Sequence, residues 1–516
     1  MMLFTFLLLC HYCLEMVLSD NFSRINLPLI HIPYYMTSFP NVAEECAKNP
    51  TCPYKHYLNE KKYWGYEYGH KWGQQYSIPD CPGDHRGWVK TKFDQQNTFY
   101  IQGDFGYIKQ QLLEMKILCE PLFVEDSMLE CSDHLRYCRG RNLMINFTNL
   151  IHRHEPLRYK MDVLSYGDIG GWCDLNKEEL TNRADHISAL QSWGPELRNF
   201  IKMKRRPIPN GDCDVIVDKP TYIMKIDATV NMYHHFCDFL NLYASQHMNK
   251  DYETFSTDVN VLIWESYTYH SLFQETWKAF TKHPLWNLNS FKGKTVCFKN
   301  LIFPLLPRMI FGLYYNTPLI YGCKKSGLFH AFSKHILHRL KIPIHFRHGK
   351  TIRITFLSRD TRYRKILNEE ELLNTLSDND EYDVRKVIFN KDIPFRQQLE
   401  VIANTDILVG IHGAGLTHLL FLPDWAAVFE VYNCEDANCY ADLARLRGLH
   451  YVTWRNTSKL TSVTDGSYQG GAHAKFANYR FDPDEFKSIL VEASSQVKEH
   501  PNFVDSTQHP PKRDEL

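Results

Sequence analysis

The chain lacks an excess of charge of either sign: its 516 residues carry 59 Lys and Arg against 59 Asp and Glu. A nucleic-acid binder needs a basic surface, so nucleic acid is excluded as the main partner. There is no basic tract, no heptad pattern and no internal repeat, which excludes coiled coils and solenoids. Past the N-terminus no run reaches the eighteen or so consecutive apolar residues of a membrane-spanning helix. Outside the first residues there is no CxxC pair and no zinc-finger spacing. What the chain does have is 44% hydrophobic and 14% aromatic residues, enough for two or three cores at this length.

Two terminal stretches address the protein. Met1–Ser19 holds a short apolar core, Leu3–Leu9, and reads as a secretory signal cut near Ser19. It lacks Lys and Arg before the core, and a buried N-terminal helix is the competing reading. The chain ends Arg513-Asp514-Glu515-Leu516, which resembles the Lys/His-Asp-Glu-Leu retrieval signal of the endoplasmic reticulum. Together they place the protein in that lumen, with the retrieval receptor as a partner. Cys10 and Cys13 fall in the signal; the other cysteines run from Cys46 to Cys439 and should mostly pair there, their odd number leaving a free thiol. Cys46/Cys52, Cys131/Cys138 and Cys434/Cys439 are near enough in sequence to close local loops. Sequons at Asn21, Asn146 and Asn456 are candidate N-glycan sites.

The expected organisation is a signal at 1–19, a cysteine-rich region at 20–215, an α/β domain at 216–345, a second at 346–500, and a tail at 501–516. Within the cysteine-rich region, Ile108, Leu112, Leu113, Met115, Ile117 and Leu118 form an apolar stripe and predict a helix over Gly106–Glu120. From Thr351 to Trp454 strand and helix patterns alternate. Strands at 351–357, 382–389, 406–410, 427–432 and 449–454 are separated by helices at 368–376, 395–403 and 439–448. This alternation predicts a doubly wound parallel sheet.

Two loops at strand ends carry candidate chemistry. Gly410, Gly413 and Gly415 follow a strand and precede a short helix, so their N–H groups suit an anion. His412 and His418 flank them. The spacing matches neither the dinucleotide fingerprint nor the P-loop, and a plain tight turn is the bland alternative. Ser358–Lys365 carries Arg359, Arg362, Arg364 and Lys365 after another strand, where open α/β sheets bind ligands; a solvated basic loop is the alternative. Glu430, one strand on, suits a ribose hydroxyl. A third cluster is Tyr233-His234-His235-Phe236-Cys237-Asp238-Phe239. On a helix His234 and Asp238 are i,i+4 and His235 and Asp238 are i,i+3, so both pairs meet, as a general base and its partner would. A capped helix start with one core histidine is the bland reading. A metal site is less favoured, because adjacent histidines diverge by about 100° on a helix.

Tyr233–Phe239, Ser358–Asn368 and His412–Asp436 together resemble the glycosyltransferases specific for EGF-like domains, within the family 61-like transferases. That resemblance implies a GT-B-like fold with two Rossmann-like domains facing a cleft, plus the disulfide-tied N-terminal region. It implies inverting transfer of N-acetylglucosamine from UDP-GlcNAc to Ser or Thr of folded EGF-like repeats. Arg359 and Arg364 would bind the diphosphate; His412, Gly413, Ala414, Gly415, Thr417 and His418 would cradle it; Glu430 would hold ribose. Asp238 is favoured as base with His234 or His235 orienting it, the swap being nearly as good. Lys282-His283-Pro284 stand where the family has an acidic triplet, so no metal cofactor is expected. Two readings compete: a related lumenal transferase with another UDP-sugar or acceptor, and a non-catalytic binding protein for EGF-rich clients.

Overall fold

The computed structural model describes residues 89–503 except 151–155, 185–187, 250–254, 346–349, 378 and 464–473, with 79–84 and parts of 22–58. The expected signal, Asn21 and the retrieval tail lie outside the described residues. Two compact units divide the chain, residues 1–77 with 512–516, and 78–511. In the smaller unit a helix at Pro40–Lys48 is closed by the expected Cys46–Cys52 disulfide.

In the larger unit the first half is built on a mixed sheet of eleven strands. These are β1 (Lys116–Glu120), β2 (Met128–Cys131), β3 (Cys138–Asn146), β4 (Ile169–Gly171), β5 (Asp174–Leu175), β6 (Phe200–Lys202), β7 (Val215–Val217), β8 (Thr221–Met224), β9 (Asn260–Ile263), β10 (Trp286–Asn287) and β11 (Thr295–Phe303). The main path runs β10-β9-β8-β11-β3-β2-β1-β5. Its spine is the antiparallel pairing of β3 with β11, from Thr295 opposite Asn146 to Phe303 opposite Cys138. One sheet therefore runs through residue 215, and the expected boundary there does not separate two cores. The helix expected over 106–120 stops at Leu113, and Lys116–Glu120 is β1. A short apolar run suits either element, and pairing with β2 decided it.

Helix α1 (Met232–Met248) is buried along nearly its whole length, polar residues such as Asp238 and Asn241 included. Asn231 caps it, accepting from Tyr233 N at 3.0 Å. Helix α2 (Gly327–Arg339) carries the chain out of the mixed sheet.

The second half is a five-stranded parallel sheet: β12 (Ile352–Leu357), β13 (Tyr382–Val387), β14 (Ile407–Gly410), β15 (Ala427–Glu430) and β16 (His450–Thr453). Helices α3 (Glu369–Asn374), α4 (Phe395–Ala403) and α5 (Cys439–Arg447) lie where the alternation puts them, and α6 (Pro483–Glu499) follows. The strand order is β13-β12-β14-β15-β16, all parallel. This is the 2-1-3-4-5 order of doubly wound sheets, whose ligand crevice lies at the carboxyl ends of the first and third strands, where the order reverses. Those ends are Leu357 and Gly410, the points from which the basic and glycine loops leave.

Five disulfides tie the described residues. Cys131–Cys138 is local as expected, while Cys81–Cys323, Cys119–Cys173 and Cys213–Cys297 join distant segments. Cys434 and Cys439, expected to pair, are both free, as is Cys237. Cys434 is packed in the core under the parallel sheet, whereas Cys439 opens α5 on a pocket wall, so the two thiols serve different surroundings. Among the described residues no helix is long and apolar enough to cross a membrane. At the two described sequons Asn146 Oδ1 accepts from Thr148 Oγ1 at 2.6 Å, and exposed Asn456 Oδ1 accepts from Ser458 Oγ at 2.6 Å.

Candidate active site

A cavity of about 600 Å³ opens at the switch point of the parallel sheet. Its floor is the glycine loop. A Cβ on Gly413 would lie 1.9 Å from Arg359 Nη1, and one on Gly415 would lie 2.8 Å from Leu357 Cδ2. A side chain at either position would have to displace the Arg359 guanidinium or the Leu357 side chain. Arg359 Nη1 and Arg364 Nη1 both reach the His412 carbonyl, at 3.5 and 3.2 Å. Two cations thus converge on the glycine turn, and burial and the charge of Arg364 lower the Arg359 pKa. Arg362 lies over the Tyr363 ring and, like Lys365, does not line the cavity.

The loop histidines are structural supports as much as walls. His412 Nδ1 lies 2.8 Å from Glu430 Oε1, and Tyr451 OH bonds the other oxygen of that carboxylate. Glu430, expected to hold ribose, is fully buried, does not line the cavity, and is bonded to His412. Thr417 is likewise buried away from it. His418 Nδ1–H donates to the Gly415 carbonyl at 2.7 Å, and its Nε2 lies 3.1 Å from Gln398 Oε1; burial pushes its pKa down to about 4. Ala414 and Gly415 line the cavity as expected. Two residues not foreseen complete this wall: Asp436, 3.8 Å from His412 Nε2, and Lys475, 2.7 Å from Asp436 Oδ2. Asp436 ends the third motif, but Lys475 comes from a distant hairpin and has no local signal.

Across the cavity stands the first turn of α1. The structure splits the histidine cluster in an unexpected way. His235 and Asp238 meet as the i,i+3 spacing requires, Nδ1 to Oδ2 at 3.0 Å. Both are buried and neither lines the cavity. Burial pushes the Asp238 carboxyl well up, and burial pushes His235 down to about 3, so this pair is held uncharged. Asp238, the residue favoured as base, thus does not face this cavity. It braces the turn before the helix, accepting from Asp227 N at 3.2 Å, while His235 Nε2 meets Tyr269 OH at 2.6 Å.

His234 does line the cavity, and its partner is Asp227, Nδ1 to Oδ2 at 2.9 Å. Arg308 grips the same carboxylate with Nε and Nη2, each at 2.9 Å. Burial alone would raise the Asp227 pKa, but the hydrogen bonds from His234 and Arg308 hold it at about 2. A carboxylate on Nδ1 fixes the ring tautomer and leaves the Nε2 lone pair for the cavity. Asp227 stands in the turn after β8, seven positions before His234, so no helical spacing links them. Lys282 and His283 lie elsewhere, both paired with Asp258, at 3.4 and 2.6 Å. Among the described residues no cluster of His, Cys, Asp and Glu could hold a metal ion.

A cationic glycine floor facing an oriented histidine suits an enzyme that moves a group away from a phosphate. The model of the family Glycosyltransferase 61 matches residues 232–429, from the first turn of α1 to β15. An EGF domain-specific O-linked N-acetylglucosamine transferase of Drosophila melanogaster is 52% identical, with 94% of this chain and 93% of that one covered. Its namesakes of Bos taurus and Mus musculus are 47% and 46% identical over 95% of this chain and 93% of theirs. Among solved structures, an iron-containing heptosyltransferase, TibC, covers 57% of this chain and 77% of its own at 11% identity and a TM-score of 0.22, too low to define a shared fold. The chain is a glycosyltransferase and belongs to the family of EGF domain-specific O-linked N-acetylglucosamine transferases.

Proposed function

We propose that this chain transfers N-acetylglucosamine from UDP-GlcNAc, with inversion, to a Ser or Thr hydroxyl of a folded EGF-like domain in the lumen of the endoplasmic reticulum. The relatives' names support acceptor and sugar, and five disulfides fit an oxidising compartment. The retrieval-like tail supports the organelle and its receptor as a partner. The two α/β halves act as the facing domains of a GT-B-like enzyme.

The observation that carries the mechanism is the His234–Asp227 pair opposite Arg359 and Arg364 across one cavity. The diphosphate lies on the glycine turn. Arg359, Arg364 and the N–H groups of 413–415 take up the charge that grows as the sugar–phosphate bond breaks. His234 Nε2 removes the acceptor proton on the opposite face of the sugar, and Asp227 steadies the imidazolium that forms. Asp436 takes the sugar-nucleotide hydroxyl contact first assigned to Glu430. With side-chain cations meeting the leaving group, divalent metal is not required.

The test is transfer from labelled UDP-GlcNAc, UDP-GalNAc, UDP-xylose and UDP-glucose to one folded EGF-like domain, with and without EDTA. Incorporation from UDP-GlcNAc alone, resistant to EDTA and lost when the acceptor is reduced, is the expected result. Incorporation abolished by EDTA would sink the metal-free mechanism, and a preference for another donor would sink the sugar assignment.

A further inference from the structure

A second groove, of about 570 Å³, lies beside β10. One segment walls both cavities: Leu272 and Phe273 face the first, while Tyr269, Trp277 and Lys278 face the second. Ser271 Oγ ties this segment to the turn before α1 by donating to Thr229 O at 2.7 Å. Tyr269 OH reaches His235, whose partner Asp238 accepts from Asp227 N. The groove wall is thus hydrogen-bonded to the support of His234.

The first cavity has the size of one small-molecule site, and a nucleotide sugar fills it. A folded acceptor must then be held outside it, on the side of His234. The second groove has what a protein surface recognises: half-buried Trp286, the Tyr269 ring, and an exposed Lys278. Trp286–Asn287 is also the last strand on the path of the mixed sheet, so among the described residues no strand lies beside its outer backbone edge.

We propose that this groove is the acceptor subsite, and that it takes an extended segment of the acceptor domain next to the modified Ser or Thr. The inference rests on the transferase reading above. Trp286 supplies the apolar contact, Lys278 the charged rim, and the shared segment 268–278 carries the bound strand to His234.

Kinetics of the full-length enzyme with UDP-GlcNAc and one folded EGF-like domain test it, using Trp286→Ala and Lys278→Glu. Lys278 contacts Glu275 at 3.5 Å and is 73% exposed, so its variant folds even if loss of Trp286 disturbs the neighbouring Phe291 ring. The acceptor KM should rise ten-fold or more for Trp286→Ala and at least three-fold for Lys278→Glu, while kcat at saturating acceptor and the KM for UDP-GlcNAc move less than two-fold. Acceptor KM values within two-fold of wild type for both variants would overturn the groove and leave the transferase reading intact. Absence of transfer by the wild-type enzyme would overturn both. Perturbation of the Trp286 indole NMR signal by free N-acetylglucosamine, and not by the EGF-like domain, would make the groove a sugar site and overturn the proposal.

Discussion

At the scale of the residue, the choice of base separates two neighbouring pairs. His234 lines the cavity on a buried Asp227; His235 and Asp238 lie behind it. His234→Asn should lower kcat by about 10²–10⁴-fold, the ordinary worth of general base catalysis, with the Kd for UDP unchanged. Asp238→Asn should instead cost stability, about 1–3 kcal/mol for a disturbed buried hydrogen bond, and keep more than a tenth of kcat. The reverse pattern would return the base to Asp238. Sequence spacing favoured Asp238 because i,i+3 and i,i+4 rules see only partners on one helix, and the partner of His234 sits before the helix begins. Glu430 is a related case: its place at a strand end is legible in the sequence, but its burial under His412 and Tyr451 is not. Gly413 was legible as a close approach, and what approaches is Arg359. Gly413→Ala forces that guanidinium aside and should weaken UDP binding at least ten-fold, about 1.4 kcal/mol, as read by calorimetry.

At the scale of the element, the parallel sheet could be read from the sequence and the mixed sheet could not. Strands β12 to β16 are apolar runs separated by helical periods, and each pairs with a near neighbour in sequence or one step beyond. In the mixed sheet β3 finds β11 across some 150 residues of other elements, and no local pattern encodes that partner. The short helix after the glycine loop, Ala414–Phe421, gives a further handle, because it buries His418 against Gly415 and Gln398. Its imidazole has an ordinary pKa of 6.5 and is pushed down to about 4 by burial. Between those values the unfolded chain holds the proton and the folded chain does not, so stability falls on acidification from pH 6.5 towards pH 4. The slope is about 1.4 kcal/mol per pH unit and the total about 3 kcal/mol. Burial pushes His247 and His335 down as well and adds to the loss. The pair His235–Asp238 adds little, since one proton is held by the pair when folded and by the histidine when unfolded. Thermal melts at several pH values should show a shallower acid slope for His418→Asn than for wild type; equal slopes would remove His418 from the account.

At the scale of the whole molecule, covalent ties and free thiols are distributed unevenly. All five disulfides involve residues before 324, and the free thiols Cys237, Cys434 and Cys439 belong to α1 and the parallel-sheet half. Cys81–Cys323 closes the longest loop, with a separation of 242 residues. Its loss should cost on the order of 2–5 kcal/mol through the freedom returned to the unfolded chain. The parallel sheet holds itself together by other means, a core running from Ile352 to Phe503 under α6, with every strand paired. Thiol titration of the secreted-form protein in denaturant, without reductant, should therefore find three reactive groups, and Cys434→Ser with Cys439→Ser should reduce the number to one. That double variant removes no disulfide and should melt far closer to wild type than a variant lacking Cys81–Cys323. A count of one in the unmutated protein would mean that 434 and 439 are joined after all. Such a bond would pull Cys439 off the cavity wall toward the core, and it would shift the first turn of α5, which carries Tyr440 against His412 at a ring distance of 5.2 Å. Oxidised and reduced protein would then differ in affinity for UDP, whereas with three free thiols mild reduction should leave that affinity unchanged.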